Sequence, residues 1–130
     1  MSDGPYTLTH EERPDFTLNK ERTVHHMKRA KIVKEWRAAF CDLAQEAMLP
    51  RLEAIEVVAQ PHVLNARYRQ DVAACFPVVK AAIDGLVDAG VLIDDNAKVV
   101  LKLTFLAPKF GRDALELTVI PVDADLETTA

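Results

Sequence analysis

Four side chains in the second half of the chain have the types and spacing that phosphoryl chemistry needs. Asp71 precedes a helical stretch, Lys80 lies near its start, and Asp94 and Asp95 follow directly after it. Hard divalent cations such as Mg2+ take oxygen ligands and typically sit on one or two carboxylates, completing their shell with water and substrate phosphate. Asp71, Asp94 and Asp95 are therefore candidate ligands for Mg2+, with Mn2+ as a substitute. A lysine ammonium beside them can offset charge that develops on a transferred phosphoryl group. Each residue also has an ordinary role. Asp71 can cap the helix, Asp94 and Asp95 next to Asn96 are common turn chemistry, and Lys80 with Asp84 is an exposed pair one helical turn apart.

The charges around these residues are segregated. The net charge is −4, which on average disfavours an acidic partner such as DNA. Yet between Asn19 and Arg37 the bases Lys20, Arg22, Lys28, Arg29, Lys31, Lys34 and Arg37 face only Glu21 and Glu35, and beyond Gly111 the acids dominate. His25 and His26 are adjacent, so on a helix their rings diverge and do not make a metal site. Cys41 and Cys75 are too far apart in sequence for a metal-type pair and are expected to be reduced thiols. No apolar run is long enough to span a bilayer, and the first residues are acidic and polar where a signal peptide would be basic and then apolar. The expected location is the cytoplasm, with no membrane partner.

The elements that must position the candidates follow from periodicity. Residues 6–18 suit a short strand running into a loop at Pro14. From Met27 to Met48 apolar side chains recur every three or four residues, which predicts a helix with one buried face, stopped by Pro50. Residues 54–60 read as a strand that ends at Pro61, and 61–69 as an open loop carrying Arg67, Tyr68 and Arg69. A second helix should start near Cys75, with Pro77 in its first turn, and stop at Gly90. "AKVVLKLTFLAP" predicts a strand, and "ALELTVIPV" its hairpin partner. This order predicts one α+β domain over 1–130, with a mixed sheet of about four strands and two main helices packed on it. Residues 1–5 and 123–130 are expected to be flexible. Should the strand after Asp95 lie beside the strand at 54–60, Asp71 and the Asp94–Asp95 pair are expected on one edge of the sheet.

The stretch "KAAIDGLVDAGVLIDD", residues 80–95, resembles the RusA-like family of Holliday-junction resolvases, small homodimeric endonucleases common in bacteriophages and prophages. There the family carries a Lys, a run close to A-A-x-D-x-L-x-x-A-G, and then two aspartates. The resemblance extends less specifically over about 100 residues, from Leu18 to Ile120. It implies a RusA-like fold and a magnesium-dependent, structure-selective cut at a four-way junction in bacterial cytoplasm. It also implies that Lys80 is the essential lysine, Asp95 the catalytic acid with Asp94 beside it, and Asp71 the acid ahead of the helix. Asn19, Lys20, Arg22, Lys28, Arg29, Arg67 and Arg69 would then contact backbone phosphates, with little base specificity. Symmetric paired nicks imply a two-fold homodimer. The chain departs from the family's Asp-x-Asp-Asn segment ahead of the Lys: "DVAACFPVVK" has Asp71 alone, and Ala73, Ala74, Cys75 and Phe76 supply no side-chain oxygen. A junction-binding protein that no longer cuts is the alternative. The net negative charge also leaves open a protein-interaction module with a nuclease-like fold.

Overall fold

The computed structural model describes residues 4–123. The expected flexibility of residues 1–3 and 124–130 lies outside the described residues. The elements are β1 (Tyr6–His10), α1 (Leu18–Thr23), α2 (His26–Glu46), β2 (Ala54–Val63), α3 (Phe76–Asp88), β3 (Val100–Phe105), β4 (Lys109–Phe110) and β5 (Ala114–Val122), with a 3-10 turn at Ala66–Tyr68 between β2 and α3. The α+β class and the mixed sheet are as expected, with five strands and three helices among the described residues.

The sheet runs β1-β5-β2-β3, and β4 pairs with β2 beyond the end of β3. β2 is parallel to β3 and β4 and antiparallel to β5. The expected hairpin of β3 with β5 does not form, because β2 lies between them. The chain crosses the end of β2 at Gly111, whose N–H meets the carbonyls of Val63 and Leu64. Both β3 and β5 are apolar on alternate residues, so either could have flanked the other. The longest and most buried strand, β2, takes the central place and both neighbours.

β2 also runs past Pro61, where the sequence predicts its end. Ala59 turns its carbonyl to the β3 side, where it accepts from the Leu106 N–H at 3.0 Å. Pro61, two residues on, faces the same side. There β3 has ended and β4 has not begun, so the missing N–H leaves no ladder bond unmade.

Alternation sorts the sheet into a core face and an outer face. Ile55, Val57 and Ala59 of β2 and Leu115, Leu117 and Val119 of β5 are fully buried with Leu8 under α2 and α3. Thr7, Glu56, Lys102 and Thr118 stay exposed or half-buried on the other face. From α2 only Trp36, Phe40 and Ala44 are fully buried, one turn apart, and the first ten residues of that helix bury none. α3 supplies Val78, Val79, Ala82, Ile83 and Leu86. The two helices approach closely at Gly85, where a Cβ would stand 2.4 Å from the Arg37 carbonyl oxygen.

Both long helices stop as their sequences allow. Gly90, at φ +82°, closes α3, with its N–H on Val87 and the Val91 N–H on Leu86. α2 ends the same way at Met48, at φ +56°, two residues before the proline expected to stop it. The unexpected α1 has six residues and buries none, so it carries no periodic signal. Its trace in the sequence is Thr17, whose hydroxyl accepts from the Lys20 N–H at 3.5 Å.

Candidate active site and nucleic-acid interface

The candidates fall into two groups. The first lies along the exposed side of α3. Lys80 donates to Asp84 at 2.9 Å and to Asp95, so its ammonium sits between two carboxylates. Asp95 reaches Lys80 because the segment after α3 folds back along the helix. Asp94 organises that segment: one of its oxygens accepts from the Asp95 N–H at 2.7 Å and the other from the Asn96 amide at 3.1 Å. The turn chemistry read from Asp94–Asn96 and the Lys80–Asp84 pair are thus both present, and the fold adds Asp95 to that pair.

This geometry sets the charges. The hydrogen bond from Lys80 is the largest cause that pulls the Asp95 carboxyl from its ordinary 3.8 down to about 2. For Lys80 the largest single influence is burial, which works against the charge, but its bonds to Asp95 and Asp84 outweigh it and the pKa is raised. Farther along α3, Arg37 donates to Asp88, with Nη2 2.8 Å from Oδ1. That bond lowers the Asp88 carboxyl and raises the Arg37 guanidinium.

The second group lies where the β1–α1 loop meets the segment after β2. Gln70 donates to the Pro14 carbonyl at 2.9 Å, and the Leu18 N–H to the Ala74 carbonyl at 2.9 Å. These bonds bring Asn19, Arg22, Arg69 and Asp71 to the wall of one cavity of about 550 Å³. An adjoining cavity of about 330 Å³ is lined by Arg13, Asp15, Lys20, Arg67, Tyr68 and Arg69, and Thr17, Arg69 and Gln70 line both. Arg22, Arg67 and Arg69 are exposed and make no ion pair among the described residues. Lys28 lines a third cavity with Lys20, beside Glu12, Asp15 and Glu35. Arg29 is exposed on α2 and lines none of the three.

Asp71 belongs to this second group. It does not cap α3, which begins at Phe76 after Cys75 with no side-chain cap. Its carbonyl instead accepts from the Ala74 N–H in a tight loop that holds Ala73 at φ +68°. The shared edge expected for Asp71 and Asp94–Asp95 is not what the topology supplies. β2 and β3 are parallel, so the segment leaving β2 and the segment entering β3 attach at opposite ends of the pair. Among the described residues no group of three or more His, Cys, Asp or Glu side chains is placed to hold a metal ion.

His25 caps α2, its Nδ1 accepting from the Met27 N–H at 3.2 Å, and because a cap residue is not helical its ring lies 4.3 Å from that of His26 and does not diverge as expected. Cys75 is buried, which pushes its thiol up to about 11, and Cys41 is half-buried; both are free. Two residues with no role in the sequence reading, Arg13 and Asp113, matter here. Arg13 lies over the Tyr68 ring, 3.7 Å from its centre. Asp113 holds Arg13 at 3.2 Å and, through its other oxygen, the Leu64 N–H at 2.9 Å. Nothing local in "EERPD" marks Arg13; only the fold sets it against Tyr68.

No protein-family model and no curated protein matches the chain. Among the described residues no helix is long and apolar enough to cross a membrane.

Proposed function

We propose that the protein is a magnesium-dependent, structure-selective endodeoxyribonuclease that resolves four-way junctions by paired symmetric cleavage, acting as a two-fold homodimer in the cytoplasm of a bacterial host. The observation that carries the reading is the convergence of Asn19, Arg22 and Arg69 with Asp71 on one cavity, next to a second cavity lined by cations. Unpaired guanidiniums attract phosphates whatever the base sequence, which suits a substrate read by its branched shape. The resemblance over residues 80–95 supplies the chemistry.

Asp94 and Asp95 fit Mg2+ in donor type, since that ion is commonly bound by one or two carboxylates with phosphate and water. When bound, such an ion would activate a water for attack on the phosphodiester. In the chain itself Lys80 bridges Asp95 and Asp84, leaving the trio one net negative charge. Asp95, with Asp94 beside it, would hold such an ion only in exchange for the Lys80 ammonium now seated on Asp95, and Lys80 so displaced would face the scissile phosphate. Arg22 and Arg69 anchor the strand beside Asp71.

The second reading is a junction-binding protein that no longer cuts. It is favoured by Ala73, Ala74, Cys75 and Phe76, which offer no oxygen ligand next to Asp71, and by the ammonium already seated on Asp95. The test is a labelled four-way junction incubated with and without Mg2+ or Mn2+ and resolved on a denaturing gel. Paired, metal-dependent nicks, absent from Asp95→Asn, are expected; a junction retarded on a native gel but never cut would select the second reading.

A further inference from the structure

We infer that the cavity formed by Arg13, Lys20, Arg67, Tyr68 and Arg69 is a metal-independent clamp for one backbone phosphate of a DNA strand, with Tyr68 as the platform that aligns two guanidiniums. The inference rests on the DNA-binding part of the function proposed above and not on cleavage.

The cavity measures about 330 Å³, and of its charged side chains four are cations and one, Asp15, is an anion. The cations are arranged before any ligand arrives. Arg13 stacks on Tyr68 at 3.7 Å, and Arg67 stands 5.7 Å from the same ring centre. Asp113 fixes the far side of Arg13 at 3.2 Å. Stacking holds a guanidinium plane and leaves the donors that are not already bonded, Arg13 Nη2 and the Arg67 fork, available to phosphate.

The arrangement is only partly compensated without a partner: Lys20 reaches Asp15 at 3.7 Å, while Arg67 and Arg69 make no ion pair among the described residues. Arg13 Nε is shielded from solvent and has no hydrogen-bond partner among the described residues. Asp15 approaches Arg13 Nε only to 3.6 Å. Like charges gathered around an incompletely bonded arginine repel one another, and an anion in the cavity relieves that repulsion. A strand accounts for the layout better than a free anion, because Arg69 also lines the adjoining cavity with Arg22, placing two cationic seats side by side. Successive phosphates of one strand would fill both.

The test measures the full-length protein against a fluorescein-labelled four-way junction by anisotropy in EDTA, across about 50 to 200 mM salt. Arg67→Gln, which alters an exposed side chain without an ion pair, and Arg13→Gln should each weaken binding about 10-fold. Each should also lower the slope of log affinity against log salt by about one, the loss of one phosphate contact. Arg13→Lys and Tyr68→Leu should weaken binding with the wild-type slope, because charge is kept and alignment lost. Wild-type slopes in both Gln variants would overturn the clamp, as would a wild type that binds no junction. So would dAMP binding that depends on Arg13 while junction affinity does not, which would assign the cavity to free nucleotides. Nicking in Mg2+ with unchanged slopes would defeat the clamp and leave the nuclease standing. Altered slopes without nicking would do the reverse.

Discussion

Along α3 every cation of the cluster is matched by a carboxylate: Lys80 is shared by Asp84 and Asp95, and Arg37 closes on Asp88. At the junction of the β1–α1 loop with the segment after β2 they are not. Five cations line the two cavities there against the carboxylates of Asp15 and Asp71. In the matched region both cations already have carboxylates, so an anion gains nothing there and a metal on Asp95 must displace an ammonium. The unmatched region gains from an anion at once. Under the proposed function the difference would separate holding a phosphate strand, at the loops around α1, from acting on it, along α3 and the turn after it.

The sharpest way to break that separation is Asp95→Asn. The variant should lose all metal-dependent nicking in single-turnover assays while its junction affinity stays equal or tightens, since a negative charge near phosphate is removed. Turnover by the variant would take Asp95 out of the mechanism. Lys80→Ala comes next, with a fall in rate on the order of 100-fold if the ammonium stabilises transition-state charge. A loss of affinity with an unchanged rate would instead move Lys80 into the binding region and blur the contrast.

Much of the matched region was legible in the sequence and much of the unmatched one was not. Helical spacing alone puts Lys80, Asp84 and Asp88 on one side of α3 opposite Val79, Ile83 and Leu86, and Pro77 and Gly90 mark the ends of that helix. Adding Asp95 required the return of the chain along α3, which no local pattern encodes. Arg67 and Arg69 were visible as basic loop residues, but Arg13 sits more than 50 positions earlier and meets Tyr68 only through the Gln70–Pro14 and Asp113 bonds. The misjudged hairpin has the same origin. Strand pairing between β2 and β5 is a long-range choice, and two alternating apolar strands in succession look like a hairpin whether or not a third strand enters between them.

Gly85→Ala tests the scaffold behind the matched region. A methyl group there would collide with the Arg37 carbonyl, so the helices must part, at a cost of about 1–3 kcal/mol in a urea melt. Lys80 and Asp95 should be disturbed with α3, and junction binding by the two cationic cavities should survive under folding conditions. Equal stability of the variant would mean that α2 and α3 are less closely packed than described. On the other side, Arg69→Gln should cost about 10-fold in junction affinity with no change in melting, because Arg69 borders both cavities and makes no ion pair among the described residues. The same change at Arg29, which lines neither, should cost less.

The smallest effect reads the matched charges directly. Because Lys80 lowers the folded Asp95 carboxyl from 3.8 to about 2, the pair contributes its stabilisation in full above the ordinary carboxylate value and loses it as pH falls towards 2. The stability difference between the wild type and Asp95→Asn should therefore be flat above about pH 5 and shrink below about pH 4. In Lys80→Ala the Asp95 carboxyl, followed by carbon NMR, should titrate at higher pH than in the wild type, since the hydrogen bond that depresses it is gone. An unmoved midpoint would mean that Asp94 and the surrounding turn hold the Asp95 charge. The region would then be matched by its own backbone, and Lys80 would already be free to meet a phosphate.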